Sequence, residues 1–318
     1  MTLISNDIEK AAEILSREEL VAIPTETVYG LAGNIYSKAA IKKIFELKKR
    51  PFFNPLIVHI HSIEQVMELA TEIPEKAKQL AQKFWPGSLT LILKKQPTIP
   101  DLITAGNDTV GIRMPAHKLT LELLKSLTFP LAAPSANPFT SISPTSVQHV
   151  KDYFDNQLEM ILDGGDCTNG IESTIVGFEN DIAIIYRLGA ISIEDITAVI
   201  GKVTIKTKVE NAPQAPGMLE KHYAPRTKTV LVTDITSFIE EHSQKKIGLL
   251  LHNKTEENYK VIQISYLSTT ADLKEAATNL YRLLHELDQL ELDMIVIQRL
   301  PDIGLGKSIN DRLERASK

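Results

Sequence analysis

Hydrophobic positions along the chain follow two periods, and the switches between them predict most of its elements. Short runs rich in β-branched and aliphatic residues, "LVAIPT", "PLIVHI", "SLTLIL", "TVGIRM", "PLAAPS", "EMILD", "STIVGF" and "AIIYRL", read as strands between residue 20 and about 190. Between and around them, apolar residues recur every three or four positions over 6–17, 38–49, 62–70, 74–84, 117–127 and 145–154, which predicts helices. Asn6 and Glu9 are spaced like a capping box for the first of these. "STIVGFENDIAIIYRL" predicts a hairpin turning at Glu179–Asp181. Strands and helices interspersed in this way predict an α/β fold with a mixed sheet.

The pattern changes after Gly201. "KTKVENAPQAPGMLEKHYAPRT" holds three prolines and little periodicity, so 201–227 reads as a linker, longer than an ordinary connection. A second α/β pattern then begins, with strands "TVLVT", "KIGLLLH", "KVIQIS" and "DMIVIQ" and helices at about 234–243, 270–290 and 306–317. Residues 228–318 are therefore expected to form a small Rossmann-like parallel-sheet domain behind a larger domain over 1–200.

Composition narrows the class. The chain has 318 residues, too many for one ordinary core. Its 43% hydrophobic and 24% charged residues are those of a globular protein, and no run approaches the roughly 18 apolar residues of a membrane span. The N-terminus is acidic and amphipathic, unlike a signal peptide. The single cysteine, Cys167, excludes an internal disulfide framework and a Cys-rich zinc site, so a reducing cytoplasm is the expected location. A net charge of −5 argues against a broad nucleic-acid surface. A phosphate site would need a local cluster of cations.

Such a cluster stands in "FELKKRPFFNPLIVHI". Ile41, Ile44 and Phe45 mark the inner face of a helix, and Lys48 is the next position on that face. The plain reading of Lys48 and Arg50 is a pair of cations at a helix C-terminus. An inward ammonium is nevertheless costly to bury alone, and Pro51 holds Arg50 just before Asn54–Pro55 turns the chain into a strand. In "AAPSANPFTSISPTSVQHV" a strand ends at Pro134, and Ser135 and Asn137 stand on the following loop. Ser143 is read as the N-cap of the next helix with Pro144 at its first position, which makes a ready anion site. Arg113 interrupts a strand expected to be buried, unless that strand lies at an edge. "PTETVYGLAG" reads as a strand end dissolving into a ligand-contacting loop or a surface turn. "PDIGLGKS" imitates a phosphate loop but has Pro301 where that loop needs glycine, so it reads as a helix start. The histidines show no metal-ligand spacing.

Taken in order, "PTETVYGL", "KKRP…NPLIVH", "FWPGSLTLIL", "VGIRMPAH", "AAPSAN", "SPT", "LDGG" and "GIESTIV" resemble the signature blocks of the YrdC-like threonylcarbamoyl-AMP synthases. The linker "APGMLEKHYAP" and the small C-terminal domain resemble that family's long, two-domain form. The resemblance implies a YrdC-like twisted mixed sheet and a reaction: L-threonine, bicarbonate and ATP give threonylcarbamoyl-adenylate and pyrophosphate. It also implies Mg²⁺ arriving with ATP. A separate transferase would use the product to modify the adenosine beside the anticodon of certain tRNAs, with at most a weak RNA contact here and no membrane.

By the same resemblance the family's tetrad falls on Lys48, Arg50, Ser135 and Asn137, with Lys48 and Arg50 catalytic. Arg50, Asn54, Thr109, Ser135, Ser143 and Arg187 are implied to contact ATP, with Lys48 and Asn137 beside them and Tyr223 closing over the nucleotide. Thr27, His59, Arg113, the backbone near Ala133 and Ser173 resemble the L-threonine pocket. A competing class is a double-stranded-RNA or ribosome-associated binding module, against which the net charge of −5 counts. Carbamoyl transfer to another protein resembles a relative with zinc-finger cysteines, and one cysteine argues against it.

Overall fold

The computed structural model describes residues 1–207, 213–218 and 220–318, so residues 208–212 and Leu219 of the expected linker lie outside the described residues. The chain opens with β1 (Leu3–Ser5), α1 (Ile8–Ser16), β2 (Val21–Ile23), β3 (Gly30–Asn34), α2 (Lys38–Lys48), β4 (Ile57–His59) and α3 (Val66–Leu69). It continues with α4 (Glu75–Phe84), β5 (Leu89–Lys94), α5 (Asp101–Thr104), β6 (Thr109–Arg113), α6 (Lys118–Ser126) and β7 (Leu131–Ala132). Next come α7 (Val147–Phe154), β8 (Met160–Leu162), β9 (Thr174–Glu179), β10 (Ile182–Arg187), α8 (Ile193–Ile200) and β11 (Val203–Ile205). The last portion holds β12 (Thr229–Val232), α9 (Ile235–Glu241), β13 (Ile247–Asn253), β14 (Gln263–Ser268), α10 (Leu273–Asp288), β15 (Met294–Gln298) and α11 (Leu305–Ala316).

The strands form a mixed eleven-stranded sheet, β1-β8-β2-β3-β7-β4-β6-β5-β9-β10-β11, and a four-stranded sheet, β12-β15-β13-β14. Every pair in the smaller sheet is parallel. In the larger one β4 pairs parallel with β6 and antiparallel with β7, which sets His59 opposite Arg113 and opposite Leu131. The hairpin of β9 and β10 turns through Asn180 and Asp181, both left-handed at φ 50° and 62°, the backbone of a two-residue turn matched to strand twist.

Helix α2 shows how local sequence aims the site. Ser37 caps it by accepting from the Ala40 N–H, and Ile41, Ile44, Phe45 and Lys48 all face inward. Lys49 ends it in the left-handed region at φ 53°, so the chain leaves the helix with Arg50 directed into the fold.

Several expectations need correction. Leu3–Ser5 is a strand paired with β8, and Asp7 rather than Asn6 caps α1, because its carboxylate reaches the Lys10 N–H. Helix α7 begins three residues later than expected, with Ser146 as its cap instead of Ser143. The helix expected over 62–70 shortens to Val66–Leu69, and the strand read from "KVIQIS" lies at Gln263–Ser268. Gly30–Asn34 is a strand, not loop, paired on both sides within the sheet. Helix α8, capped by Ser192, and edge strand β11 were not anticipated; β11 places a strand inside the expected linker. Strand β6 is interior, so the edge reading of Arg113 fails.

The smaller sheet is fused to the larger part through a shared apolar cluster. Val28, Ile142 and Ile171 pack with Leu280, Leu284 and Leu313 of α10 and α11. No helix among the described residues is long and apolar enough to cross a membrane.

Candidate active site

Strands β4, β6 and β10 run opposite to β2 and β7, and the segments that end or follow these five strands meet around one crevice. This crevice is a cavity partly open to solvent. Its walls bring together Thr27, Arg50, His59, Arg113, Ala133, Ser135, Ser173, Arg187 and Tyr223 from the sequence-predicted set. The linker supplies one side through Pro216, Gly217, His222 and Tyr223. Gly217 has φ 86°, and a Cβ there would lie 2.9 Å from the Tyr223 hydroxyl and 2.8 Å from Arg187 Cδ, so only glycine lets the linker approach this closely.

On one side of the cavity the chemistry suits an amino acid. Thr25 Oγ1 accepts from the N–H groups of Thr27 and Val28, fixing the turn that presents Thr27. Arg113 donates from Nη2 to Glu26 at 2.5 Å and from Nε to the Gly87 carbonyl. That edge of the guanidinium is therefore occupied, and a carboxylate must be met at the Nη1 end. Glu26 also accepts from Ser88 and from the Ala116 N–H. Burial pushes its carboxyl up, but Arg113 and the Ala116 N–H outweigh that and hold it below the usual carboxylate range. His59 is buried with Nδ1 unpartnered among the described residues, and burial with nearby Arg113 pushes it down to about 3. It is a neutral imidazole at any ordinary pH.

On the other side the chemistry suits a polyanion. Arg50 donates to the carbonyls of Asn54 and Pro55, and Arg187 to the Ser173 carbonyl and hydroxyl. Neither guanidinium has a carboxylate partner among the described residues. Burial and the charge of Arg187 push Arg50 down to about 9, and burial also lowers Arg187. Arg187 feels the charge of Glu172 without a salt bridge to it, and two buried cations held this close are costly unless an anion joins them.

Five predicted residues do not line the cavity. Lys48 is buried behind it, with Nζ donating to the carbonyls of Ser135 and Asn137, each at 2.5 Å. Burial, with Arg50 alongside, pushes this ammonium well below the ordinary lysine range. It pins the Ser135–Asn137 loop. Asn137 donates to the carbonyls of Pro138 and Ser141, and its Oδ1 has no partner among the described residues. Asn54 is fully buried, with neither side-chain amide atom partnered among the described residues. Ser143 donates to Glu172 at 2.7 Å instead of capping a helix. Thr109 starts β6, roughly 13 Å along the strand from Arg113. It opens on a separate groove with Tyr186 and Gln214. Between the two regions runs an apolar strip of Ile57, Ile92, Ile175 and Ile184 covered by Ala215 and Met218 of the linker.

Sequence reasoning missed three charged residues. Glu26 stands inside a quoted block and orients Arg113. Glu172, in "GIESTIV", faces the cavity and accepts from Ser143, Tyr281 and Arg312. Burial raises its pKa, but Arg312 and Arg187 overcome this and hold it down at about 2. Arg312, from the last helix, carries no sequence signal beyond a charged helix end.

Two family profiles divide the chain. One described as "Telomere recombination", for the Sua5, YciO and YrdC proteins, matches residues 13–189, and one described as "Threonylcarbamoyl-AMP synthase, C-terminal domain" matches 191–318. A threonylcarbamoyl-AMP synthase of Pyrococcus abyssi is 40% identical over 100% of this chain and 98% of its own length. One of Bacillus subtilis is 41% identical over 99% and 94%. The crystal structure of P. abyssi Sua5 complexed with L-threonine superposes with a TM-score of 0.92 at 39% identity, covering 99% of this chain and 98% of that one.

Proposed function

The chain belongs to the Sua5/YrdC family of threonylcarbamoyl-AMP synthases, and from that premise we propose that it makes threonylcarbamoyl-AMP from L-threonine, bicarbonate and ATP. It is an enzyme of the nucleotidyltransferase type. One observation carries the reading at the level of chemistry: a single cavity joins an amino-acid-like side at Arg113 to a side with two buried arginines, neither of which makes a salt bridge among the described residues.

The reaction needs no covalent bond to the protein. The amine of L-threonine attacks the carbon of bicarbonate or carbon dioxide to form a carbamate, with water released in the bicarbonate case. A carbamate oxygen then forms a bond to the α-phosphorus of ATP, and the bond to the β-phosphate oxygen breaks to release pyrophosphate. Positioning and charge neutralisation supply most of the catalysis in such a transfer. Arg113 is assigned the amino acid's carboxylate. Thr27, His59, Ser173 and the Ala133 backbone are assigned its remaining groups. Arg50 and Arg187 are assigned the triphosphate. Lys48 and Asn137 hold the loop that bears Ser135, and Tyr223 closes the linker side. Thr109 serves the nucleotide only if adenosine runs along the strip now covered by Ala215 and Met218.

Mg²⁺ is assigned to the nucleotide and not to a protein cage. Glu172, the acidic group on the cavity wall, already spends its oxygens on Ser143, Tyr281 and Arg312, and no metal-ligating cluster occurs among the described residues. The product is a mixed anhydride, an activated acyl donor, which fits hand-off to a transferase acting on tRNA. An RNA-binding module is not favoured: Lys48, Arg50 and Arg187 are buried around a cavity, not arrayed on a face where a phosphate backbone could lie.

Product analysis tests the reading. With labelled bicarbonate, label and threonine are both expected in one adenylate. ADP as the stoichiometric product would contradict it.

A further inference from the structure

Arg312 is the largest fully buried side chain in the described structure, 1% exposed, yet it lies on α11, the last helix of the C-terminal portion. Each arm of its guanidinium is engaged. Nε donates to Glu172 at 2.9 Å, Nη1 to Asp311, and Nη2 to the Leu188 carbonyl at 2.6 Å. Its face lies 5.0 Å from the centre of the Tyr223 ring, within cation–π range. Tyr223 is itself 1% exposed, holds a left-handed backbone at φ 62°, and stacks at 5.8 Å on Tyr281 of α10. A non-glycine residue in that region is unusual and persists when its surroundings hold it.

These contacts form a short chain from the C-terminal portion to the cavity. Glu172, Tyr223 and Arg187 all line the cavity, and Arg312 touches two of the three. Glu172 in turn receives the hydroxyls of Ser143 and Tyr281. The same helix reaches the linker at two further points. The Arg315 carbonyl accepts from the His222 N–H at 3.4 Å, and Arg315 Nη2 donates to the Thr207 carbonyl at 2.9 Å.

The geometry points to Arg312 as a positioning residue: from the C-terminal portion it fixes Tyr223 and Glu172 so that the linker side of the cavity takes the shape the nucleotide requires. The C-terminal portion then contributes to the site through Arg312, with Tyr281 beside it, instead of only adding mass behind it. This rests on the functional reading above. Arg312 touches neither Arg113 nor Thr27, so its effect falls on the nucleotide and not on the amino acid.

The test uses the full chain and an ATP analogue with a methylene bridge between the α- and β-phosphates, titrated by calorimetry beside L-threonine. Arg312→Lys keeps the charge but loses the planar face. Arg312→Met combined with Glu172→Gln removes both charges together, so no buried carboxylate is left unpaired. Ser308→Ala breaks a different buried contact of α11, its 2.8 Å hydrogen bond to the Gly189 carbonyl, and reports docking alone. Whichever Arg312 variant folds should bind the analogue at least tenfold more weakly and bind L-threonine within twofold of wild type. Ser308→Ala should lower the melting temperature and leave both affinities in place. The proposal is overturned by an unchanged affinity for the analogue, or by equal losses of both ligands that track melting temperature across all variants. A wild-type protein that binds neither ligand would instead overturn the functional reading, and this proposal with it.

Discussion

Arg113 and Glu26 face each other at 2.5 Å, with side chains only 5% and 9% exposed. The carboxylate also accepts from Ser88 and the Ala116 N–H, so it is fixed from three directions and fixes the arginine in turn. Glu26→Gln should therefore misplace Arg113 without removing it. Breaking a buried charged pair typically costs about 2–5 kcal/mol. The expected result is a large loss of L-threonine affinity by calorimetry, with nucleotide affinity kept. Unchanged L-threonine binding would show that Arg113 finds its place without help.

The two sides of the cavity should separate on mutation. Arg50→Ala should weaken ATP binding and spare L-threonine in the empty enzyme, and Arg113→Ala should do the reverse. Losses of about 2–5 kcal/mol are expected for each cognate ligand. Equal loss of one ligand in both variants would refute the division.

The Tyr223 hydroxyl is buried and has no hydrogen-bond partner among the described residues. Removing an unsatisfied buried donor relieves a desolvation cost of about 1–3 kcal/mol. Tyr223→Phe should thus be as stable as wild type or more so, while turnover falls if the hydroxyl meets the nucleotide. A destabilised but fully active Tyr223→Phe would contradict the placement.

Burial holds four histidines neutral, pushing His59, His222 and His285 down to about 3 and His149 to about 4. His149 and His285 stack at 3.8 Å across α7 and α10. In the unfolded chain a histidine titrates near about 6.5. A depressed folded value means the unfolded state binds more protons below that pH. Stability is then complete above about 6.5 and is lost as pH falls toward the folded values. Each histidine contributes a slope of about 1.4 kcal/mol per pH unit inside that window. Glu172, held at about 2, changes stability only below the usual glutamate range and does not interfere above pH 5. Thermal stability should fall steeply from pH 7.5 to pH 5, and His149→Gln should flatten the slope by about one proton. A flat profile would contradict this.

The strands, the hairpin turn and most helices were legible because each rests on a local period or cap. Ser37 and Lys49 bracket α2 within a dozen residues, and the inward Lys48 could be read from helical spacing alone. What it meets could not. Its carbonyl partners on Ser135 and Asn137 lie 87 and 89 positions away. Ser143 carried a convincing capping signal with Pro144, but Ser146 offered the same chemistry one turn later and took the role. The Glu172–Arg312 pair spans 140 positions, and neither residue breaks any local pattern, so only tertiary packing reveals it. Arg113 was ambiguous for the same reason: its strand is interior only because β5 and β4 flank it.

The dependence of pyrophosphate release on substrates tests the central claim most directly. Purified protein with ATP is expected to release pyrophosphate only when L-threonine and bicarbonate are both present, in a one-to-one ratio with an adenylate that carries both. Pyrophosphate released equally without L-threonine, or ADP in its place, would contradict it.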